Sequence, residues 1–248
     1  MEKRIAIITG ASSGIGEATA RKFVSEGFGV VGNARNAEKL QRLEKELGKA
    51  FCAVPGNASE NSVIDRFFDA ALERFGRNAD IVVANAGRGL GGSVKDADLS
   101  KFEEILKLNV TGTLALLQKA SKRMLEGIDY PKKAADIVII GSVVGRHVSP
   151  FSAVYGSTKF AVHALAEGLR REVGSRGIRV SLVEPGVVVS GFQEGAGYTD
   201  ELVANFDEKF GPLLYGEDIA ETIAYIVTRP PHVHVSDILV RPTRQDYP

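Results

Sequence analysis

Tyr155 and Lys159 form the pattern Tyr-x-x-x-Lys, and their types and spacing suit proton-transfer chemistry. Residues four positions apart share one face of a helix. A nearby ammonium group stabilises a phenolate and lowers the pKa of the tyrosine, which makes it usable as an acid or base near neutral pH. The pattern alone also fits a half-exposed tyrosine beside a solvated lysine. Ser142 follows an apolar run thirteen residues before Tyr155, so we expect its hydroxyl in the same crevice.

Asn109 is a polar residue within an otherwise mostly apolar helical stripe. The stripe consists of Phe102, Leu106, Thr113, Leu116 and Ala120. A buried amide needs hydrogen-bond partners. Asn109 is therefore either a hydrogen-bonded core residue or part of a functional site, and the stripe alone does not decide between the two.

A glycine-rich turn, Thr9 to Gly16, joins the first apolar run to a helical pattern. Glycine allows a tight turn and a close approach of the backbone to a phosphate, and a helix N-terminus offers N–H groups to an anion. The spacing is G-x-x-x-G-x-G and differs from the G-x-G-x-x-G fingerprint. It indicates a dinucleotide-binding turn, although spacing alone does not establish one.

The same turn has a second interpretation, because Gly10 to Gly14 also fits G-x-S-x-G. That pattern is the nucleophile turn of α/β-hydrolases, which likewise lies between a strand and a helix. In this alternative Ser12 is the nucleophile, and the base is one of four histidines, His147, His163, His232 and His234.

The elements that must position these residues alternate between strands and helices. Seven apolar runs predict strands: Arg4–Thr9, Gly29–Ala34, Ala50–Val54, Asp80–Ala84, Asp136–Gly141, Ile178–Glu184 and Asp237–Val240. Several are apolar nearly throughout, as in parallel strands covered on both faces. The alternation predicts an α/β fold, a doubly wound and mostly seven-stranded parallel sheet with helices on both faces. Such sheets bind ligands at the carboxyl ends of their strands.

Composition excludes several classes of protein. Of 248 residues, 31 are Lys or Arg and 31 are Asp or Glu, so the basic excess of a nucleic-acid binder is missing. No apolar run has the length of a membrane span, and the N-terminal residues lead straight into a strand pattern. The single cysteine, Cys52, excludes an internal disulfide. We expect a cytoplasmic single domain over residues 1–248 with no metal site and no membrane or nucleic-acid partner.

The stretch from Val187 to Gly216 breaks the alternation, with several glycines, no strand pattern and weak helical periodicity. Long connections of this kind are often functional. Its apolar side chains, Phe192, Tyr198, Leu202, Val203 and Phe206, favour a mobile lid over substrate. The alternatives are a tolerated surface insertion and permanent packing against another subunit.

Taken together, the motifs resemble those of the short-chain dehydrogenases/reductases. The turn Thr9 to Gly16 is followed in order by Asn85-Ala86-Gly87, Asn109-Val110, Ser142, Tyr155-x-x-x-Lys159 and Pro185-Gly186. The resemblance extends from Lys3 to about Val240 and implies a Rossmann fold that binds NAD(P). It implies Tyr155 as acid/base, Ser142 polarising the substrate oxygen, Lys159 holding the nicotinamide ribose, and Asn109 holding a helix distortion and a water. The cofactor-binding residues it implies are Gly10, Ser12, Ser13, Gly14, Ile15, Gly16, Arg35, Asn57, Asn85, Ala86, Gly87, Tyr155, Lys159, Pro185, Gly186, Val188 and Ser190.

Two positions bear on how the cofactor binds. Asn57 replaces an aspartate that often receives the adenine amino group in this family, and its carbonyl can accept the same bond. The second predicted strand ends at Ala34, where an acid would bind the ribose 2′-hydroxyl of NAD, and Arg35 follows. A guanidinium suits a 2′-phosphate, so we predict NADP. The alternative for Arg35 is a solvent-facing side chain without a ligand.

The expected activity is that of an NADP-dependent alcohol dehydrogenase or ketoreductase acting on a small-molecule alcohol or carbonyl. A catalytically idle NADP-binding regulator on the same fold is the alternative. The tail from Ile238 to Gln245, together with Gly191-Phe192, is similar to the branch acting on 3-hydroxy acids, while steroid, sugar, polyol and acyl-carrier substrates stay open. The resemblance implies a homo-oligomer, a tetramer or dimer. The polar, proline-containing residues from Arg241 to Pro248 we expect to be either disordered or docked on a neighbouring subunit, and the resemblance favours docking.

Overall fold

The structure is a computed structural model that describes residues 3–148 and 152–246, apart from the side chain of Glu194. Seven strands form one sheet: β1 Ile5–Thr9, β2 Gly29–Ala34, β3 Phe51–Pro55, β4 Ile81–Ala84, β5 Ala135–Ile140, β6 Ile178–Pro185 and β7 Asp237–Val240. Their order is β3-β2-β1-β4-β5-β6-β7, and every pairing is parallel. The doubly wound α/β sheet predicted from the alternation is confirmed, and no strand bound differs from the predicted one by more than one residue.

Helices connect the strands. They are α1 Gly14–Ser25, α2 Ala37–Leu47, α3 Asn61–Phe75, α4 Leu99–Leu106, α5 Thr113–Gly127, α6 Ala153–Val173, α7 Phe192–Gly195, α8 Asp200–Phe210 and α9 Gly216–Val227. Between α4 and α5, residues Lys107–Gly112 form a π-helical turn that contains Asn109. No helix in the described residues is both long and apolar enough to cross a membrane.

The core lies on both faces of the sheet. In β1, Ile5 and Ile7 point to the face covered by α3, α5 and α6, whereas Ala6 and Ile8 point to the face covered by α1, α2 and α9. Because successive side chains of a strand point to opposite faces, a sheet buried on both sides needs apolar residues at nearly every position. This is why the strands read as continuous apolar runs.

The segment from Val187 to Gly216 is more regular than its weak periodicity suggested. It contains α7 and α8, and Val188 pairs with Leu214 in an isolated parallel bridge. The Thr199 hydroxyl accepts the backbone N–H of Leu202, and two acidic residues occupy the first turn of α8. These interactions at its N-terminus stabilise α8 although its apolar residues show only weak helical periodicity.

A buried ionic network joins the strands at their amino ends. Asp136, at the start of β5, has no exposed surface. Arg179 of β6 grips its carboxylate through Nε and Nη2 at 2.7 and 2.9 Å, and Arg4 Nη2 donates to it at 2.7 Å. Arg179 also donates to the Val227 carbonyl at the end of α9. The network thus links the amino ends of the strands, which lie opposite the carboxyl ends where ligands are expected to bind.

Candidate active site

Ser142, Tyr155 and Lys159 meet at the carboxyl end of β5. Ser142 follows β5 directly, and Tyr155 and Lys159 lie buried on the first turns of α6. The Ser142 hydroxyl is close enough to Tyr155 to influence the pKa of the phenol. Lys159 Nζ donates to the Ile140 carbonyl at 2.7 Å and lies 5.9 Å from the centre of the Tyr155 ring. The three residue types that sequence singled out for proton transfer are therefore in one cluster.

The ionisation of this cluster is governed by burial. Burial raises the pKa of Tyr155, Tyr198 adds to the rise, and the nearby Ser142 hydroxyl opposes it. Burial also lowers the pKa of Lys159 to about 8. The expectation that Lys159 would lower the Tyr155 pKa is wrong for this structure, because desolvation of the phenolate outweighs every opposing contact. Tyr155 is thus held as a protonated donor.

Asn109 lies inside the π-helical turn and is hydrogen-bonded at both ends of its amide. Its Oδ1 accepts the Arg88 backbone N–H at 2.9 Å, while Nδ2 donates to the Arg88 carbonyl at 2.9 Å and to Thr158 Oγ1 at 3.1 Å. Thr158 precedes Lys159 on α6. The amide therefore ties the loop after β4 to the helix that carries Tyr155 and Lys159.

The glycine-rich turn after β1 has the backbone of a phosphate site. Gly10 and Gly14 have φ values of 71° and 53°, where L side chains are strained. A Cβ at Gly16 would overlap the Gly10 carbonyl. Ser13, the N-cap of α1, makes no side-chain capping bond among the contacts described. The first N–H groups of α1 consequently remain available to an anion, which is what the pyrophosphate of a dinucleotide needs.

Thr9 is a site residue that sequence reasoning missed. Its Oγ1 accepts the backbone N–H groups of Asn85 and Ala86 at 3.1 and 3.0 Å, and Asn85 Nδ2 donates to the Thr9 carbonyl at 2.8 Å. These bonds join the glycine-rich turn to the Asn85-Ala86-Gly87 segment after β4. A hydroxyl at the last position of an apolar strand was the available signal.

Residues after β6 return to the glycine-rich turn. The Gly186 N–H bonds the Val240 carbonyl at 2.7 Å, which extends the pairing of β6 with β7, and Val188 is buried. A Cβ at Gly14 would lie 3.0 Å from Ser190 Cβ. The structure thereby brings Pro185, Gly186, Val188 and Ser190 to the same end of the sheet as Ser142.

Asn57 makes hydrogen bonds within its own turn, and its expected contact with adenine stays a prediction. Its Oδ1 accepts both the backbone N–H and the hydroxyl of Ser59, at 3.1 and 3.0 Å. A carbonyl oxygen has two lone pairs, so these two bonds leave it poorly placed to receive an adenine amino group. The Asn57 side chain instead stabilises the turn that leads into α3.

Arg35 lies just beyond β2, exposed, with no side-chain hydrogen bond or ion pair to any residue within the described ranges. The neighbouring Asn33, which sequence did not single out, is buried and donates to the Val54 and Gly56 carbonyls at 2.9 and 3.0 Å. Asn33 therefore fixes the strand end from which Arg35 extends.

The segment from Val187 to Gly216 covers the catalytic cluster. The Phe192 and Tyr155 rings are 5.6 Å apart, and Tyr198 is close enough to influence the Tyr155 pKa. Behind them Tyr198 contacts Phe206 at 6.1 Å. The Gly91 N–H bonds the Ala196 carbonyl at 3.2 Å, which attaches α7 to the loop after β4.

The tail after β7 folds back onto this segment within its own chain. Gln245 is buried, and its Oε1 accepts the Val187 N–H at 3.0 Å. Arg244 Nη1 donates to the Gly211 carbonyl at 3.1 Å. The expectation of a disordered tail is therefore wrong for residues 241–246, because Val187 and Gly211 of the covering segment offer backbone groups that the tail satisfies. Docking of the tail on a neighbouring subunit stays a prediction.

The hydrolase interpretation of the glycine-rich turn is also wrong. Across residues 3–148 and 152–246, no histidine is hydrogen-bonded to Ser12. His163 instead accepts the Ser142 N–H at 3.3 Å, and His234 bonds the Val180 carbonyl. A serine nucleophile without a base has no activated form.

Known proteins resemble this chain over nearly its whole length. An uncharacterized oxidoreductase of Staphylococcus aureus (strain USA300) is 34% identical over 240 residues, with 96% of this chain and 97% of the relative covered. The closed form of a serine dehydrogenase complexed with NADP+ superposes with a TM-score of 0.88 at 27% identity, covering 98% of this chain and 96% of that one. A 3-ketoacyl-(acyl-carrier-protein) reductase from Brucella melitensis, complexed with NADH, gives a TM-score of 0.88 at 27% identity, covering 97% and 98%.

A nicotinamide-dependent oxidoreductase on a Rossmann fold is the class that this sheet and this cluster define. Within that class, the family model for short chain dehydrogenase matches residues 4–200. The chain belongs to the short-chain dehydrogenase/reductase family.

Proposed function

We propose that the protein is an NADP-dependent short-chain alcohol dehydrogenase or ketoreductase that interconverts a secondary alcohol and its carbonyl compound. The observation that carries the proposal is the cluster at the end of β5, where Tyr155 is close to Ser142 and lies on one helix face with Lys159. A protein that only bound the cofactor would need no such cluster.

The chain's own residues supply the proton chemistry. When bound, NADPH supplies a hydride to the carbonyl carbon, and in the reverse direction NADP accepts it. Tyr155 donates its hydroxyl proton to the carbonyl oxygen during reduction and accepts it during oxidation. Its raised pKa keeps that proton on the hydroxyl near neutral pH. Ser142 donates a hydrogen bond to the same substrate oxygen and polarises the carbonyl.

Lys159 and the loops around it hold the cofactor in this proposal. Lys159 binds the nicotinamide ribose, and Asn109 keeps the loop after β4 against α6. The free N–H groups at the start of α1 bind the pyrophosphate. The rest of the cofactor lies between the loops that follow β4 and β6, which are Asn85 to Gly87 and Pro185 to Ser190.

The preference for NADP rests on Arg35, which is exposed and carries no partner among the described residues. The kcat/KM values for NADPH and NADH measure it directly. We expect Arg35→Ala to reduce kcat/KM for NADPH at least tenfold and to leave NADH nearly unchanged, whereas Arg42→Ala, on the exposed face of α2, serves as control. Equal use of both cofactors by the wild type would overturn the preference.

Tyr155→Phe tests the chemistry. It keeps the ring that packs against Phe192 and removes the hydroxyl. A positioned acid contributes about 10²- to 10⁴-fold, so we expect that loss in kcat with unchanged NADPH affinity in a fluorescence titration. Tyr225→Phe, exposed on α9, is the matched control. Cofactor binding without turnover of any substrate by the wild type would instead support an idle regulator.

A 3-hydroxy acid is the substrate class we propose. The tail resemblance supports it, and serine, named for one structural neighbour, is itself a 3-hydroxy acid. The test is a panel of 3-hydroxy acids, their esters, polyols and steroids with NADP. A preference for any substrate without a carboxylate would overturn the assignment.

The segment 187–216 is proposed as a lid. Gln245 and Arg244 hold its backbone at Val187 and Gly211, and its Phe192 ring lies against Tyr155. We expect slower amide hydrogen exchange there when NADPH and a substrate analogue are both present. Full protection in the free protein would overturn the lid, and so would a Phe192→Ala variant with unchanged order of substrate preference.

We further propose a cytoplasmic homo-oligomer. The exposed Leu114 and Phe160 on α5 and α6 are apolar groups that an interface would cover. Light scattering on the purified protein tests the assembly, and cell fractionation tests the location.

A further inference from the structure

His163 occupies a position from which it contacts the backbone of the catalytic serine. It follows Tyr155 by eight residues and Lys159 by four on α6, so the three side chains share one face. A Cβ at Gly141 or at Gly145 would overlap the His163 ring. The turn on either side of Ser142 is therefore built around an imidazole.

One hydrogen bond defines the contact. His163 Nε2 accepts the backbone N–H of Ser142 at 3.3 Å. Only a neutral imidazole with its proton on Nδ1 can accept there. Nδ1 lies 3.8 Å from Glu184 Oε2, and a carboxylate on that side favours the tautomer with the proton on Nδ1.

Charged groups surround His163 from every packed element. Lys159 faces it from α6, Arg146 from the turn after β5, Glu184 from β6 and Asp237 from β7. Glu184 is fully buried and is paired with Arg146. His163 also lines an open groove of about 550 Å³, which it shares with Glu167 and Arg170 of α6. Burial outweighs the attraction of Glu184 and lowers the pKa of His163, so the ring is neutral near pH 7.

We propose that neutral His163 is a positioning residue that holds the Ser142 backbone for proton transfer, and that protonation of its Nε2 in acid releases Ser142. This inference rests on the proposed oxidoreductase function. A proton on Nε2 would place two donors face to face, because the Ser142 N–H is also a donor. Ser142 carries the hydroxyl that lies near Tyr155 in the proposed site, so we expect its displacement to lower kcat.

Two variants separate positioning from simple packing. His163→Leu removes the acceptor, and we expect kcat at pH 7.5 to fall about tenfold, the equivalent of one hydrogen bond, with KM for NADPH unchanged. His163→Gln offers a carbonyl acceptor that does not titrate. We expect the wild-type kcat to decline toward pH 5.5, and we expect His163→Gln to keep most of the wild-type kcat at pH 7.5 without that decline. His232→Gln, exposed before β7, is the control.

A second measurement does not depend on activity. Labelling glycine carbonyls with ¹³C and serine amides with ¹⁵N selects the four Gly–Ser pairs of the chain, one of them Gly141-Ser142. We expect the Ser142 amide resonance to titrate with pH in the wild type and to stay fixed in His163→Gln. A titrating amide in a protein without carbonyl reductase activity would refute the proposed function and leave the contact intact.

Two outcomes would overturn the inference. The first is a Ser142 amide that does not respond to pH in the wild type. The second is a His163→Gln variant that retains the full acid decline of kcat. If His163→Leu fails to fold, the glutamine variant and the amide titration still decide.

Discussion

The buried ammonium group of Lys159 should lower the free energy of unfolding of the protein. Its side chain is buried, and its pKa is lowered from 10.5 to about 8. At about 1.4 kcal/mol per pKa unit, keeping the charged form in the folded state costs about 3 kcal/mol. The hydrogen bond to the Ile140 carbonyl returns about 1 kcal/mol. Lys159→Met should therefore raise the free energy of unfolding at pH 7 by about 2 kcal/mol while abolishing activity.

The pH dependence has a definite sign. Below about pH 8 Lys159 is charged in both the folded and the unfolded state, so the folded state is destabilised by the full free energy of burying that charge. Between pH 8 and 10.5 the unfolded state binds more protons, so the stability of the wild type rises relative to that of the variant. At pH 9.5 the advantage of Lys159→Met should have nearly disappeared.

Urea unfolding of the wild type and of Lys159→Met at pH 7 and pH 9.5 measures the difference in their free energies of unfolding. Thermal unfolding at pH 7 gives the corresponding difference in melting temperature. At pH 7 the melting temperature of the variant should be higher by about 4 to 8 °C for a chain of this size. Lys95→Met, at an exposed position, is the control and should shift neither value. A Lys159→Met variant that is less stable at pH 7, or whose advantage persists at pH 9.5, would refute the reasoning.

Three further predictions concern other parts of the fold. Asp136→Asn leaves the buried Arg179 without its counter-ion and should cost about 3 to 5 kcal/mol of unfolding free energy, measured by urea titration, and a loss under 1 kcal/mol would contradict it. Gln245→Ala leaves the Val187 N–H unpaired and should raise substrate KM several-fold with little change in NADPH affinity; Asp246→Ala, exposed, is the control. Gly16→Ala should weaken NADPH binding more than tenfold in a fluorescence titration, whereas Gly168→Ala, in open space, should not.

Local pattern was enough to predict the sheet. Each strand is buried on both faces, so its sequence is apolar almost throughout and stands out from the amphipathic helices between strands. The end of β5 then places Ser142, and helical spacing places Tyr155 beside Lys159. The positions of these three residues could be predicted because they depend only on where a strand ends and on the spacing of residues along one helix.

Contacts between distant parts of the chain could not be predicted in this way. Gln245 reaches Val187 across 58 positions, and Thr9 reaches Asn85 across 76. No periodicity records such pairs. The balance of burial against charge at Tyr155 is similarly a property of the packed state, which is why a lowered pKa was expected and a raised one found.

The ionic network at the amino ends of the strands has a consequence for engineering. In β6, Arg179 and Pro185 are six residues apart, which at 3.3 Å per residue separates the network from the catalytic end by roughly 20 Å. Effects of substitutions that far apart, with no shared partner, usually add. Stability gained by redesigning the network around Asp136 should therefore combine directly with specificity gained by changing residues 187–216. The two properties can be selected in separate libraries and joined in one gene.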